Sequence, residues 1–258
     1  MSYLTFHLVF IIPPILLLGL SQPSPLASVG GRRALYAIPT ICVIAFTYTT
    51  PWDNYLVARE VWWYGSERVL ATIGYVPVEE YLFFILQPIL TGLFLYQYLA
   101  RRNPPRQESS VRAGRMGAVV FILLSVIGGA LLISGWDSGL YMGLILAWAC
   151  PVIAGMWLYA GQLLWALRRQ LAVGVMIPTV YLWVADAIAI HLGIWEISRV
   201  YSLGPRPFGL PIEEAVFFLV TNILVVQGTL LFLFERHGFL PEERTPIPAG
   251  HSPVRHEE

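Results

Sequence analysis

Seven long apolar stretches run through this chain, and they dictate what it can become. They fall at Tyr3–Leu20, Leu35–Thr50, Val78–Leu99, Met116–Ser134, Leu140–Leu164, Val173–Leu192 and Ile212–Phe234. A helix needs about 20 apolar residues to cross a hydrocarbon layer ~30 Å thick. The second stretch is short for a full crossing, and its ends are the least defined. Composition agrees: 57% of residues are hydrophobic and 12% charged, with a mean hydropathy of +0.65. Soluble domains carry about 25% charged residues, so the surface of a soluble fold would be short of charge. The expected fold is an all-α integral membrane protein with about seven transmembrane helices.

Charge placement orients the spans. All sixteen basic residues are Arg. Arg32 and Arg33 follow the first stretch, Arg101, Arg102, Arg106, Arg112 and Arg115 the third, and Arg168 and Arg169 the fifth; Arg236, Arg244 and Arg255 lie in the tail. Only Arg59, Arg68, Arg199 and Arg206 fall on the other side. The positive-inside rule makes the Arg-rich side cytoplasmic, with the N-terminus external and the cell membrane the expected location. No basic residue precedes the first stretch, so it reads as a span and not as a signal peptide. Cys42 and Cys150 fall within spans and imply no disulfide framework.

The chain repeats itself. Pro77-Val-Glu79-Glu80-Tyr-Leu-Phe83-Phe84 is matched 134 positions later by Pro211-Ile-Glu213-Glu214-Ala-Val-Phe217-Phe218. Asp53 and Asp186, and Trp62 and Trp195, are each separated by 133. Two parallel three-helix repeats are expected, at 1–100 and 139–235. A linker with a connecting helix, 101–138, returns the chain across the bilayer between them. A cytoplasmic tail follows at 236–258.

Both copies carry their acids to the external face. Glu79, Glu80, Glu213 and Glu214 open the third and seventh spans, and Asp53 and Asp186 approach from the second and sixth. Helix spacing sets Glu80, Phe84 and Gln87 on one stripe, and Glu214, Phe218 and Thr221 on another. Phe83 and Phe217 lie beside them. Each stripe passes from a carboxyl into aromatic and then weakly polar surface, which suits donating a proton and then holding a greasy cation. A structural account also exists, because Pro is favoured in a first helical turn and an acid there complements the helix dipole. Two copies of paired acids at a membrane boundary favour function, since acids in that position are costly. Most boundary Trp and Tyr, Trp52, Trp62, Trp63 and Trp195 among them, read as interfacial anchors. Some could line a cation-holding pocket.

Several classes are excluded. With no Lys, no retinal Schiff base can form. No Gly-x-Gly-x-x-Gly dinucleotide motif occurs, the five His are scattered, and no Asp-rich run suits magnesium and diphosphate. No cofactor, metal or nucleic-acid partner is expected.

The paired Pro-x-Glu-Glu helix starts, the duplicated unit and the interposed span resemble the lycopene cyclase domain family, with both halves joined as in its fused members. The resemblance covers the first span to the seventh. It implies a carotenoid cyclase that closes the linear ends of lycopene into β-ionone rings without net redox change. The implied partners are a lipophilic carotenoid substrate and membrane lipid. Two alternatives remain at this stage. A carotenoid hydratase would need a water held near Gln87, Thr221 or Asn222, and a proton-coupled transporter would need a relay across the membrane.

Overall fold

In a computed structural model, residues 1–21, 31–65, 67–101 and 109–234 are described. The centre of the linker and the tail expected at 236–258 lie outside them. Among the described residues, seven helices are long and apolar enough to span a membrane. They are α1 (Tyr3–Leu20), α2 (Arg32–Ala58), α3 (Val78–Ala100), α4 (Val111–Ile133), α5 (Leu140–Ala166), α6 (Arg168–His191) and α7 (Ile212–Phe234). The second span is much longer than its apolar run, and its extra turns carry Trp52 and Asp53 into the bundle. The sixth begins at Arg168, so only Leu167 separates it from α5.

Helices α3 and α7 form the centre. α3 packs on α1, α2 and α6, while α7 packs on α5, α6 and α2, and the two touch each other. Polar side chains hold them together where no water can. Asn222 Oδ1 accepts from Gln87 Nε2 (2.7 Å) and Thr91 Oγ1 (2.6 Å), and Asn222 Nδ2 donates to Thr179 Oγ1 of α6 (3.0 Å). Interhelical bonds of this kind contribute on the order of 1 kcal/mol each in a membrane. α4 leans on α5 through small residues. A Cβ at Gly114 would lie 2.8 Å from the Gly161 backbone, so only glycine lets the two helices approach this closely.

In α1 a proline frees a carbonyl that finds another partner. Pro14 cannot donate to the Phe10 carbonyl, and His7–Ile11 widens into a π turn. The Tyr181 hydroxyl of α6 donates to that carbonyl at 2.6 Å and ties α1 to α6.

Four short strands lie at the acid-bearing end: β1 (Trp62–Tyr64), β2 (Thr72–Ile73), β3 (Val76–Pro77) and β4 (Trp195–Ile197). β1 pairs antiparallel with β4, joining the loop after α2 to the loop after α6. β2 and β3 form a hairpin turning at Gly74, whose φ of 66° suits glycine. Asn54 Oδ1 accepts from Tyr75 N–H (3.1 Å), pinning the hairpin to α2 just before α3 begins.

Candidate active site

Each central helix begins at a proline. Pro77 is extended (φ −62°, ψ 150°), and Val78, Glu79 and Glu80 form the first turn of α3. Consecutive helical residues point about 100° apart, so the two acids of a pair cannot face the same way. Glu79 turns to the loop, where its Oε1 accepts from Leu70 N–H at 2.8 Å. Glu213 does the same with Leu203 N–H at 2.6 Å. Both are buried, and each pins the loop leading into its own helix.

Glu80 and Glu214 turn inward, and together with Asp186 they line one chamber of about 40 Å³. Phenols hold the two Glu carboxyls. Glu80 Oε2 accepts from Tyr3 Oη (2.5 Å) and Tyr64 Oη (3.1 Å), and Glu214 Oε1 accepts from Tyr141 Oη (2.5 Å). Trp195 Nε1 donates to Asp186 Oδ1 at 2.9 Å, and Asp186 Oδ2 is buried with no hydrogen-bond partner among the described residues. Burial first, then the Glu80 carboxyl, push the Tyr64 phenol well above its ordinary pKa, which keeps it a neutral donor.

Aromatic rings make up most of the remaining wall. Phe6, Trp62, Phe83, Trp195, Phe217 and Phe218 all line the chamber. The β1–β4 ribbon is its ceiling. Strand alternation turns Trp62, Tyr64, Trp195 and Ile197 inward, while Trp63 and Glu196 face out. Trp62 and Trp195 are therefore wall residues, and Trp52 is buried against Phe217 with stacked rings 5.6 Å apart. Of the four Trp read as interfacial anchors, Trp63 alone is exposed.

The other expected site residues divide. Asp53 is buried with Oδ2 unpartnered among the described residues, and it lines neither the chamber nor the neighbouring cavity. Phe218 borders the chamber, Phe84 and Gln87 border an adjoining cavity of about 390 Å³, and Phe83 and Phe217 border both. Three tyrosines escaped the sequence reading. A signal existed for two: Tyr3 and Tyr141 each stand at the start of a span, 138 positions apart, close to the offset of the acids. Tyr64 had none, because its place depends on strand pairing.

Chemically, this is a buried pocket with several carboxyls, hydroxyl donors that fix their direction, and electron-rich faces around the remainder. It can give a proton to a nonpolar molecule, surround the resulting cation with π-faces and take a proton back.

Comparison with known proteins agrees with this chemistry. The lycopene cyclase family model matches residues 1–99 and 138–232. The lycopene beta-cyclase of Halobacterium salinarum is 42% identical over 231 residues, spanning 90% of this chain and 95% of that protein. The bifunctional lycopene cyclase/phytoene synthase of Podospora anserina is 36% identical over 82% of this chain and 38% of its own length. Its Neurospora crassa counterpart is 36% identical over 90% of this chain and 39% of its own length. No solved structure matches.

Proposed function

The chain belongs to the lycopene cyclase family, and from that premise we propose that it is a lycopene β-cyclase working through one chamber shared by its two halves. The carrying observation is that Glu80 and Glu214, one from each Pro-x-Glu-Glu motif, border the same chamber.

Ring closure then needs only acid, base and shelter. A protonated carboxyl gives its proton to C2 of the terminal double bond, leaving a tertiary cation at C1. The C5=C6 electron pair attacks C1 to form the C1–C6 bond, and the positive charge moves to C5. A carboxylate removes the C6 proton, and that electron pair restores C5=C6 within the ring. The product is an isomer of the substrate, and no hydride or oxidant takes part. Glu80, Glu214 and Asp186 are the chamber carboxyls available for these roles. Glu79 and Glu213 hold the loops that shape the chamber, and Asp53 adds a buried carboxyl behind it.

The groups suited to holding a water in a hydratase are already engaged. Asn222 is bonded to Gln87, Thr91 and Thr179, and the Thr221 hydroxyl donates to the Phe217 carbonyl at 2.9 Å. Expression in a bacterium that accumulates lycopene tests the reading. Pigment chromatography should show β-carotene, and unchanged lycopene or a water adduct as the main product would overturn it.

Recurring bonds support two parallel three-helix repeats joined by α4. Tyr3–Glu80 matches Tyr141–Glu214, and Leu70–Glu79 matches Leu203–Glu213. The Arg distribution supports an external acid end with a cytoplasmic C-terminus, in the cell membrane. Val200, 59% exposed between β4 and α7, suits labelling from outside. An impermeant thiol reagent on intact cells should label Val200→Cys and spare Ser109→Cys; the opposite pattern reverses the orientation.

A further inference from the structure

Beside the chamber lies the larger cavity of about 390 Å³, between α2, α3, α5 and α7. Its wall is almost wholly apolar, and Phe83 and Phe217 belong to it and to the chamber alike. Along α7 its lining runs from Phe217 to Phe232, about 22 Å of helix. Ile44 and Tyr48 line it while remaining 55% and 41% exposed, so it opens sideways between α2 and α5 onto the surface that faces lipid.

The other flank of the bundle is closed, although its frame is the same. Tyr48 Oη donates to the Trp148 carbonyl at 2.9 Å, bridging α2 to α5. Tyr181, 133 positions after Tyr48, donates to the Phe10 carbonyl, 138 positions before Trp148, and so bridges α6 to α1. Behind the first bridge is open space. Behind the second, Phe6, Ile11, Leu86, Leu90 and Leu182 pack into a core. Side-chain size accounts for part of the difference. Thr49, on the open side, corresponds at the 133 offset to Leu182 of that core. A Cβ on Gly228 would come within 2.7 Å of Ile41, so the space depends on glycine there.

We infer that this one-sided cavity is the binding groove for the conjugated polyene chain, entered from the bilayer between α2 and α5 while one end group sits in the acid chamber. The inference rests on the cyclase reading and adds the substrate's path to it. A long, rigid, apolar chain leaving the chamber past Phe83 and Phe217 finds this volume directly beside it, and the groove lining offers it no charged group. Because both inward-facing motif acids border the same chamber, a substrate with two linear ends is closed one end at a time. The half-cyclised molecule withdraws into the bilayer and re-enters reversed.

Wild-type protein that converts lycopene is the reference, which separates failure of the groove from failure of the cyclase assignment. Ala45→Trp fills the groove without touching an acid and should lower kcat/KM for lycopene on the order of tenfold or more. Val43→Trp, on the 66% exposed face beside the groove, should leave it unchanged. A second measurement does not depend on how Ala45→Trp folds. In a chain with Cys42 and Cys150 changed to Ala, lycopene should slow alkylation of Ala45→Cys by a lipophilic maleimide in vesicles and leave Val43→Cys unaffected. Wild-type turnover by Ala45→Trp, or equal alkylation of Ala45→Cys with and without lycopene, overturns the groove. The second of these results would mean that ordinary lipid chains fill it.

Discussion

Glu80→Gln and Glu214→Gln each reduce ring closure by about 10³-fold or more, within the range lost with a general acid or base. Glutamine keeps the size of the side chain and can still accept from Tyr3, Tyr64 or Tyr141, but it has no carboxylic proton to give and is too weak a base to take one. The neighbours are the decisive comparison. Glu79→Gln and Glu213→Gln retain an amide oxygen for the Leu70 and Leu203 N–H groups, so turnover should stay within about threefold of wild type, as a loop contact alone requires. Initial rates on purified protein in detergent, normalised to folded enzyme, check all four. Dead Glu79 and Glu213 variants beside active Glu80 and Glu214 variants would mean that the wrong acid of each pair has been placed at the chemistry.

The second large effect concerns the cation. Trp62→Leu removes one of the ceiling rings, which packs edge-on to Tyr141 at 5.2 Å. A desolvated cation–π contact is worth about 2 kcal/mol, or roughly 30-fold in rate. The loss should also change the product, because a thinner ceiling admits water to a cation that otherwise meets only π-faces and a base. Trp62→Leu is therefore expected to turn over about 30-fold more slowly and to release some hydroxylated carotenoid, visible by mass spectrometry as a gain of one water. Trp62→Phe keeps a ring and loses only the N–H that donates to Tyr64, so it should recover most of the rate. Unchanged rate and product from the Leu variant would remove Trp62 from cation stabilisation.

The spans were legible because a bilayer leaves the backbone few choices: long apolar runs must be helices, and Arg clusters mark their ends. The second span was underestimated because Trp52, Asp53 and Asn54 interrupt its hydropathy, yet the first two are buried inside the bundle. Duplication singled out four acids at two helix starts, but it could not tell that Glu80 faces the chamber and Glu79 the loop. That distinction depends on which way a loop approaches the first turn of α3, and no local pattern encodes it. Tyr64, Trp62 and Trp195 come together through the pairing of β1 with β4, a contact between loops more than 130 residues apart. Periodicity within either loop is silent about such a contact. The cavity was hidden for a related reason, since its lining comes from four helices that meet only in the folded bundle.

The central claim is that a chamber carboxyl starts the reaction by giving its own proton to the alkene. Isotope transfer tests this most directly. Enzyme equilibrated in D₂O and mixed with lycopene in less than stoichiometric amount should return β-carotene carrying one non-exchangeable deuterium for each ring closed, at C2, with no added oxygen. Product without deuterium, or product that has gained the elements of water as its main change, would contradict the account.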